Sequence, residues 1–416
     1  MTDHVAALPT QVLQNALLPG GQLVDVHVTA GRISAVAPVS SLAPEDAEVH
    51  DLAGWLLLPA LAEPHAHLDK ALTAEMVPNP TGDLIGAIEA WLVAAQAGTF
   101  IHDDIVQRST AAMEMLVLSG VTAVRSHINV GEMNGVSYLR AVREARTQFE
   151  GLLDVQLVAL PAAPMTGSDG AGNRAALVAA LTEGVDLIGG CPHLDPDGSL
   201  VIADVLRIAS EAQIGVDLHV DETLDATVLE LRTLARQVID TGFEHPVTAS
   251  HCVSLGVQPE DVQREVAKEV AEAQISVVAL PQTNLFLQGR QYRSSMPRGL
   301  TAIAALREAG AQVVAGADNV QDPFNLMGRS DPLETAALMV MAGHVLPDEA
   351  YEMVSNGVRS MLGLEPVSVA VGSIADLLAI RAPSIRGALA GATHDRMVFR
   401  HGRLVATSSE DRRLVR

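Results

Sequence analysis

The sequence predicts an α/β protein: a (β/α)8 barrel with a small β-domain formed by its N- and C-terminal segments. Three observations carry this. Eight short apolar runs recur along the chain, each bounded by Gly, Pro or polar residues. After the first, they settle at about thirty residues apart, the repeat of a strand, a helix and two loops. The two ends lack this repeat and show short alternating stretches broken by Gly-Gly and Pro.

The first four runs are WLLLPALAE ending near Glu63, VTAVRSHINV near Val130, LDVQLVALPA near Ala162 and VDLIGGCPH near His193. IGVDLHVDE near Glu222, VTASHCV near Val253, ISVVALPQT near Thr283 and QVVAGADN near Asn319 complete the set. Between them, apolar residues recur at three- and four-residue intervals over 105–118, 175–181, 201–212 and 259–273, which predicts helices. Strand alternating with helix implies a parallel sheet. Eight repeats favour a closed barrel over an open doubly wound sheet. Residues 1–58 and 365–416 read as short antiparallel strands with turns. Neither end alone has enough strands for a stable sheet. The two are therefore expected to pack as one β-domain beside a barrel of residues 59–364.

Composition agrees with this plan. Of 416 residues 48% are hydrophobic but only 3% aromatic, so the core must be built from Val, Leu, Ile and Ala. Such residues suit parallel strands covered on both faces. A formal net charge of −23 argues against a nucleic-acid surface, which needs clustered Lys and Arg. Two cysteines, Cys191 and Cys252, make neither a disulfide framework nor a cysteine zinc pattern. The start, MTDHVAALPTQ, lacks the basic and apolar stretches of a secretory leader. No apolar run reaches the length of a membrane span. A cytoplasmic protein without membrane partners is expected.

In a barrel of this kind the active site lies where the strands end. The first strand finishes in Glu63-Pro64-His65-Ala66-His67. Residues two apart on a strand point to the same side, so His65 and His67 can offer two imidazoles to one cation. The fifth strand ends at His219, the sixth at His251 and the eighth at Asp318. Neutral imidazoles plus a carboxylate suit zinc or ferrous iron with a position left open for water. The expected ligands are His65, His67, His219 and Asp318. Glu222, three residues past His219, is placed for general acid–base work beside that water. Asp221 and Asp225 read as solvated loop acids. A two-metal site would want a bridging lysine at the end of the fourth strand. Gly190-Cys191-Pro192-His193 stands there instead, so one divalent metal per chain is expected. His193 is a candidate either for lining the pocket or for a structural role.

Taken together, EPHAHLDK (63–70), SHINV (126–130), HVDE (219–222), VTASH (247–251), NLFLQGR (284–290) and GADNVQDPF (316–324) resemble the cytosine deaminase branch of the amidohydrolase superfamily. The order and spacing match over nearly the whole chain. The resemblance implies that His65, His67, His219 and Asp318 bind iron or zinc and that Glu222 protonates the ring nitrogen beside the carbon under attack. It implies that His251 orients the attacking water and, with Asp318, helps to remove its proton, the exocyclic amine leaving as ammonia. Gln288 falls in a segment that resembles part of the substrate pocket. The resemblance further implies a homo-oligomer.

Departures from the pattern bear on substrate. Cytosine deaminases carry a glutamine after the proline that ends the third strand, and its amide reads the pyrimidine edge. Here Pro161 is followed by Ala162, Ala163 and Pro164. Alanine leaves a buried polar edge unpaired, at a cost of about 1–3 kcal/mol. The second acid after the metal aspartate is Asn319, and a tryptophan further on is Phe324, which keeps stacking surface but loses the indole donor. The Ala-Asp-Asn pattern also resembles N-isopropylammelide amidohydrolases, but those replace the glutamate of HVDE with histidine, and this chain keeps Glu222. The expected activity is removal of an exocyclic amine from a cytosine-like or other nitrogen heterocycle, with cytosine itself not the best substrate. Ala162, Gln288, Asn319, Phe324 and His193 are the expected substrate contacts. The alternatives are an N-alkylamino-triazine hydrolase, a cyclic amide hydrolase with two metals, and a non-catalytic barrel scaffold.

Overall fold

The chain begins with five short strands, β1 (Gln11–Leu17), β2 (Leu23–Thr29), β3 (Arg32–Pro38), β4 (Glu48–Asp51) and β5 (Leu56–Pro59). The structure is a computed structural model and describes residues 10–40 and 43–415. Residues 1–9, where most of the stretch read for a leader falls, lie outside the described residues.

Eight parallel strands follow: β6 (Leu61–Ala66), β7 (Val121–Val130), β8 (Asp154–Pro161), β9 (Leu187–Ile188), β10 (Gly215–Val220), β11 (Val247–His251), β12 (Ser276–Ala279) and β13 (Val313–Ala315). They pair in sequence order from β6 to β13. The two ends of that sheet meet through a bridge between Ala66 and Asp318 and a hydrogen bond from Asp318 N to His65 O at 3.1 Å. The Glu63 carboxylate adds a second seam by accepting from Ala317 N at 3.1 Å. Gly316 makes this approach possible, since a Cβ there would sit 2.5 Å from Glu63 Oε1. The (β/α)8 barrel is thus nearly closed.

Helices α1 (Leu84–Gln96), α2 (His102–Leu118), α3 (Ser137–Thr147), α4 (Ala171–Thr182), α5 (Gly198–Ala212), α6 (Glu230–Thr241) and α7 (Glu260–Glu272) lie between the strands. The four stretches read as helical fall on α2, α4, α5 and α7. Helix α1 is an addition to the barrel repeat, inserted between β6 and α2. Among the described residues, no helix is long and apolar enough to cross a membrane.

The last strands, β14 (Leu377–Ile380), β15 (Arg396–Arg400) and β16 (Arg403–Ser408), join β1–β5 in a separate mixed sheet of order β16-β15-β14-β5-β1-β2-β3, with β4 on β1. This sheet has its own apolar core around Leu13, Val26, Leu57, Leu377 and Phe399. One detail departs from the sequence reading. WLLLPALAE is not a single barrel strand. It breaks at Ala60, whose N–H donates to Asp376 O at 3.0 Å. Leu56–Pro59 then belongs to the terminal sheet and Leu61–Ala66 to the barrel. An unbroken apolar run cannot reveal which sheet buries each half, because both halves are buried on both faces.

Candidate active site

The barrel's C-terminal rim brings the ligand-type residues together. His65 lies within β6 and His67 just beyond it, both buried. His219 is in β10, His251 ends β11, and Asp318 stands three residues past β13. His251 and Asp318 adopt left-handed backbone, with φ of +71° and +66°. Such conformations cost non-glycine residues about 1–3 kcal/mol and persist where surrounding structure over-determines them.

Three imidazole Nε2 atoms converge: His65 to His67 at 3.3 Å, His65 to His219 at 3.2 Å and His219 to His67 at 3.2 Å. Asp318 Oδ1 lies 3.2 Å from His67 Nε2 and 3.6 Å from His65 Nε2. Atoms bound to one tetrahedral cation at about 2.0–2.1 Å stand roughly 3.3 Å apart. The observed separations match. For His65, hydrogen bonding does not explain them, because its proton is placed elsewhere. Ser250 Oγ donates to Asp217 Oδ1 at 3.1 Å and so must accept from His65 Nδ1 at 2.9 Å, which leaves His65 Nε2 a bare lone pair. His67 Nδ1 lies within hydrogen-bond distance of Lys70 Nζ, at 3.3 Å. Both Asp318 oxygens are buried without a hydrogen-bond partner among the described residues. Burial, followed by the charges of neighbouring histidines or Lys70, holds His65, His67 and His219 well below the ordinary imidazole range, in the neutral form that binds metals. His65 and His67 with Asp318, and His65 with His219 and His251, lie close enough together to hold a divalent cation.

Beneath His65 runs a buried polar chain. Asp217 Oδ2 accepts from Arg125 Nη1 at 2.9 Å. Arg125 also donates to Thr248 Oγ1 at 3.0 Å and Gln156 Oε1 at 3.0 and 3.1 Å. His127 stacks on His65 with ring centroids 4.0 Å apart and lies 3.5 Å from Asp217. His65, His127 and Asp217 are near enough to suggest a second ion. The arginine and serine already neutralise that aspartate, so this group braces the first site instead.

Glu222 is buried just past β10, and its carboxyl is raised well above the ordinary range by burial and then by Asp318. Oε1 stands 3.6 Å from His251 Nδ1, which itself lies 3.1 Å from Asn284 Oδ1. With Nδ1–H donating to Asn284 Oδ1, His251 Nε2 is an acceptor 3.9 Å from Asp318 Oδ2. Burial lowers His251 to about 4, so its ring is neutral. Asp221 proves not to be a solvated loop acid. It is buried and accepts from Glu230 N at 2.8 Å and Leu231 N at 3.1 Å at the start of α6, and burial pushes its carboxyl up to about 6. Asp225 is exposed.

A cleft of about 820 Å³, its open mouth included, stands over His67, His219, Glu222, His251 and Asp318. Ala162, Asn319 and Phe324 line it. Gln288 and His193 do not. Gln288 Nε2 donates to the Glu222 carbonyl at 3.0 Å and so props the backbone of the acid. His193 Nδ1 lies 3.3 Å from the His219 carbonyl and likewise supports a strand end. The Asn319 amide nitrogen is committed to Asp322 at 2.7 Å, and its oxygen has no such bond. Among the lining residues without a role in the sequence reading are Lys70, whose ammonium lies 4.9 Å from the Phe324 ring centre, Asn129, and Trp91 on α1. Lys70 and Asn129 fall within EPHAHLDK and SHINV, so position beside a ligand-bearing strand end could have found them. Trp91 carried no such clue.

Comparison with known proteins agrees with this geometry. Residues 92–406 match the amidohydrolase family. A pterin deaminase of Rhizobium rhizogenes is 31% identical over 97% of this chain and 95% of that protein. The 5-methylcytosine deaminase of Klebsiella pneumoniae, solved with 5-fluorocytosine, superposes with a TM-score of 0.86 at 25% identity, covering 98% of this chain and 99% of that one. An N-isopropylammelide isopropylaminohydrolase structure from Burkholderia multivorans gives 0.83 at 26% identity, covering 96% and 99%. A metal-fitting His/Asp cluster at the mouth of a (β/α)8 barrel, with these relatives across its full length, has one reading: the chain belongs to the amidohydrolase family, in its cytosine deaminase-like branch, and is a hydrolase of carbon–nitrogen bonds in cyclic amidines.

Proposed function

We propose that the protein is an aminohydrolase of a fused 2-amino-4-oxopyrimidine, a pterin-type ring, and releases ammonia from the amino-bearing carbon. One observation carries the choice of ring. The strand end that would place an amide against a monocyclic pyrimidine bears Ala162 and Ala163, both exposed to the cleft, so the space beyond one ring is open. The pterin deaminase at 31% identity supports the same class.

The metal is one zinc or ferrous ion held by His65, His67, His219 and Asp318. Bound there, it supplies Lewis-acid activation of water near neutral pH. The chain does the rest. Phe324 offers its face to the ring. Glu222, kept protonated by burial, donates to the ring nitrogen as water adds to the amidine carbon. His251 Nε2 and Asp318 Oδ2, two acceptors facing each other, take the water's proton. That pair passes its proton on to the exocyclic nitrogen, Glu222 takes back the hydroxyl proton of the adduct, the carbon–nitrogen bond breaks, ammonia leaves, and a ring carbonyl remains.

Release of ammonia, or of the alkylamine from the triazine, is measured on metal-loaded enzyme with 2-amino-4-oxopteridine, cytosine and an alkylamino-triazine. The pteridine is expected to have the highest kcat/KM. Turnover of only the triazine would move the leaving group to an alkylamine. Silence on all three would reject the reading. Glu222→Gln is expected to keep its metal and lose about 10²–10⁴-fold in kcat.

A further inference from the structure

The cleft does not end at Ala162. A second chamber opens there, sharing Trp91, Leu92, Asn129, Ala162 and Ala163 with the first. It runs between the loop after β7 and the loop after β8. Its walls are pinned in place. Gly131 and Gly135 exchange backbone hydrogen bonds of 3.2 and 2.7 Å, closing a tight turn. Buried Asn173 accepts from Glu132 N at 2.9 Å and donates to Pro164 O at 2.9 Å, tying the two loops together. Asn134 Nδ2 donates to Asn129 O at 2.8 Å. A space held by this many bonds is preformed, as ligand pockets usually are.

Its chemistry is one-sided. Glu132 and Asp169 line it with exposed carboxylates, asparagine amides lie between them, and among the described residues no lysine, arginine or histidine does. Among the described residues the Asn129 side-chain amide at the junction makes no intramolecular hydrogen bond, so donor and acceptor both remain for a ligand.

We infer that this chamber is a subsite for a substituent on the far edge of the substrate ring, opposite the carbon that loses its amine, and that it takes an uncharged hydroxylated or a cationic tail while rejecting an anionic one. This rests on the aminohydrolase reading for the orientation of the ring. Hydroxyl groups meet amides and carboxylates as acceptors and donors. A carboxylate tail instead faces two like charges with no counter-ion.

Binding and turnover are measured separately, so that each claim has its own failure. Affinities of metal-loaded enzyme for 2-amino-4-oxopteridine and its 6-hydroxyalkyl and 6-carboxy derivatives are read from the ligands' fluorescence. The hydroxyalkyl compound is expected to bind about tenfold or more tightly than the carboxy compound, a gap that narrows at high salt. Glu132→Lys is expected to raise carboxy-compound affinity relative to the unsubstituted ring by about tenfold, and Glu132→Gln by less. Equal affinities whatever the tail charge, unmoved by Glu132→Lys, would overturn the subsite and leave the activity standing. Charge discrimination without ammonia release would uphold the subsite and reject the activity.

Discussion

Where the proton sits on His65 decides whether its Nε2 can face a cation, and Ser250 decides where the proton sits. The serine's own proton goes to Asp217, so its oxygen is left to accept from Nδ1. Ser250→Ala removes that instruction while leaving all four ligands in place. Metal affinity, measured by competition with a chelator, is expected to fall about 10–100-fold. Wild-type affinity in the variant would show that the tautomer is set some other way. The four proposed ligands and Glu222 were legible in the sequence because a strand's two-residue period and the rule of strand ends need no tertiary information. Ser250, Asp217 and Arg125 were not. Their meeting depends on the register that sets Asp217 opposite Thr248 and His219 opposite Ser250, and on the reach of Arg125 from β7. Nothing local fixes that register. For the same reason the bonds of Gln288 to the Glu222 carbonyl and of His193 to the His219 carbonyl could not be read from the sequence.

Helix α1 shows the same division among elements. Helices α2, α4, α5 and α7 were readable from an apolar stripe, but LIGAIEAWLVAAQ is apolar nearly all round. Its surfaces are divided: Ala87 and Trp91 are buried, Leu84 and Ile88 face the cleft, and Ile85 and Val93 are 57% and 67% exposed. Such a helix has no clean period to detect. What starts it is Asp83, the N-cap, which accepts from Gly86 N at 2.9 Å and from Thr81 Oγ1 at 2.8 Å. What seats it is Trp91, stacked on Phe100 with ring centroids 4.0 Å apart. Asp83→Ala is expected to cost this helix about 0.5–2 kcal/mol. Amide exchange in its first turn should then accelerate about 2–30-fold, and KM should rise because Leu84 and Ile88 roof the cleft. Unchanged exchange would mean that packing alone holds the helix.

At the scale of the molecule, the terminal sheet and the barrel are joined by charge as well as by apolar contact. Asp376, just before β14, is fully buried and pairs with Arg400 of β15 and, at 3.3 Å, with Arg359 from the barrel side. Its other oxygen accepts from His401 N at 2.9 Å. Arg400 reaches on to Asp154 of barrel strand β8 at 2.6 Å. One carboxylate therefore meets two buried guanidiniums at the seam. The gross pairing of the two chain ends was readable from the short alternating stretches that both show, although the N-terminal segment brings five strands of its own. The ion network was not, since its members lie up to 246 residues apart. Asp376→Asn keeps the shape and removes the charge, leaving Arg359 and Arg400 at 2% and 6% exposure with less than they need. Stripping one partner from a buried pair costs about 3–5 kcal/mol, whereas replacing the whole set by apolar residues can be neutral. Urea unfolding of Asp376→Asn should show a loss of that size, and the triple variant Asp376→Leu, Arg359→Met, Arg400→Met should recover a substantial part of it. If the single change is silent, or the triple falls further than the single, the seam is held by its apolar packing and the charges merely ride on it.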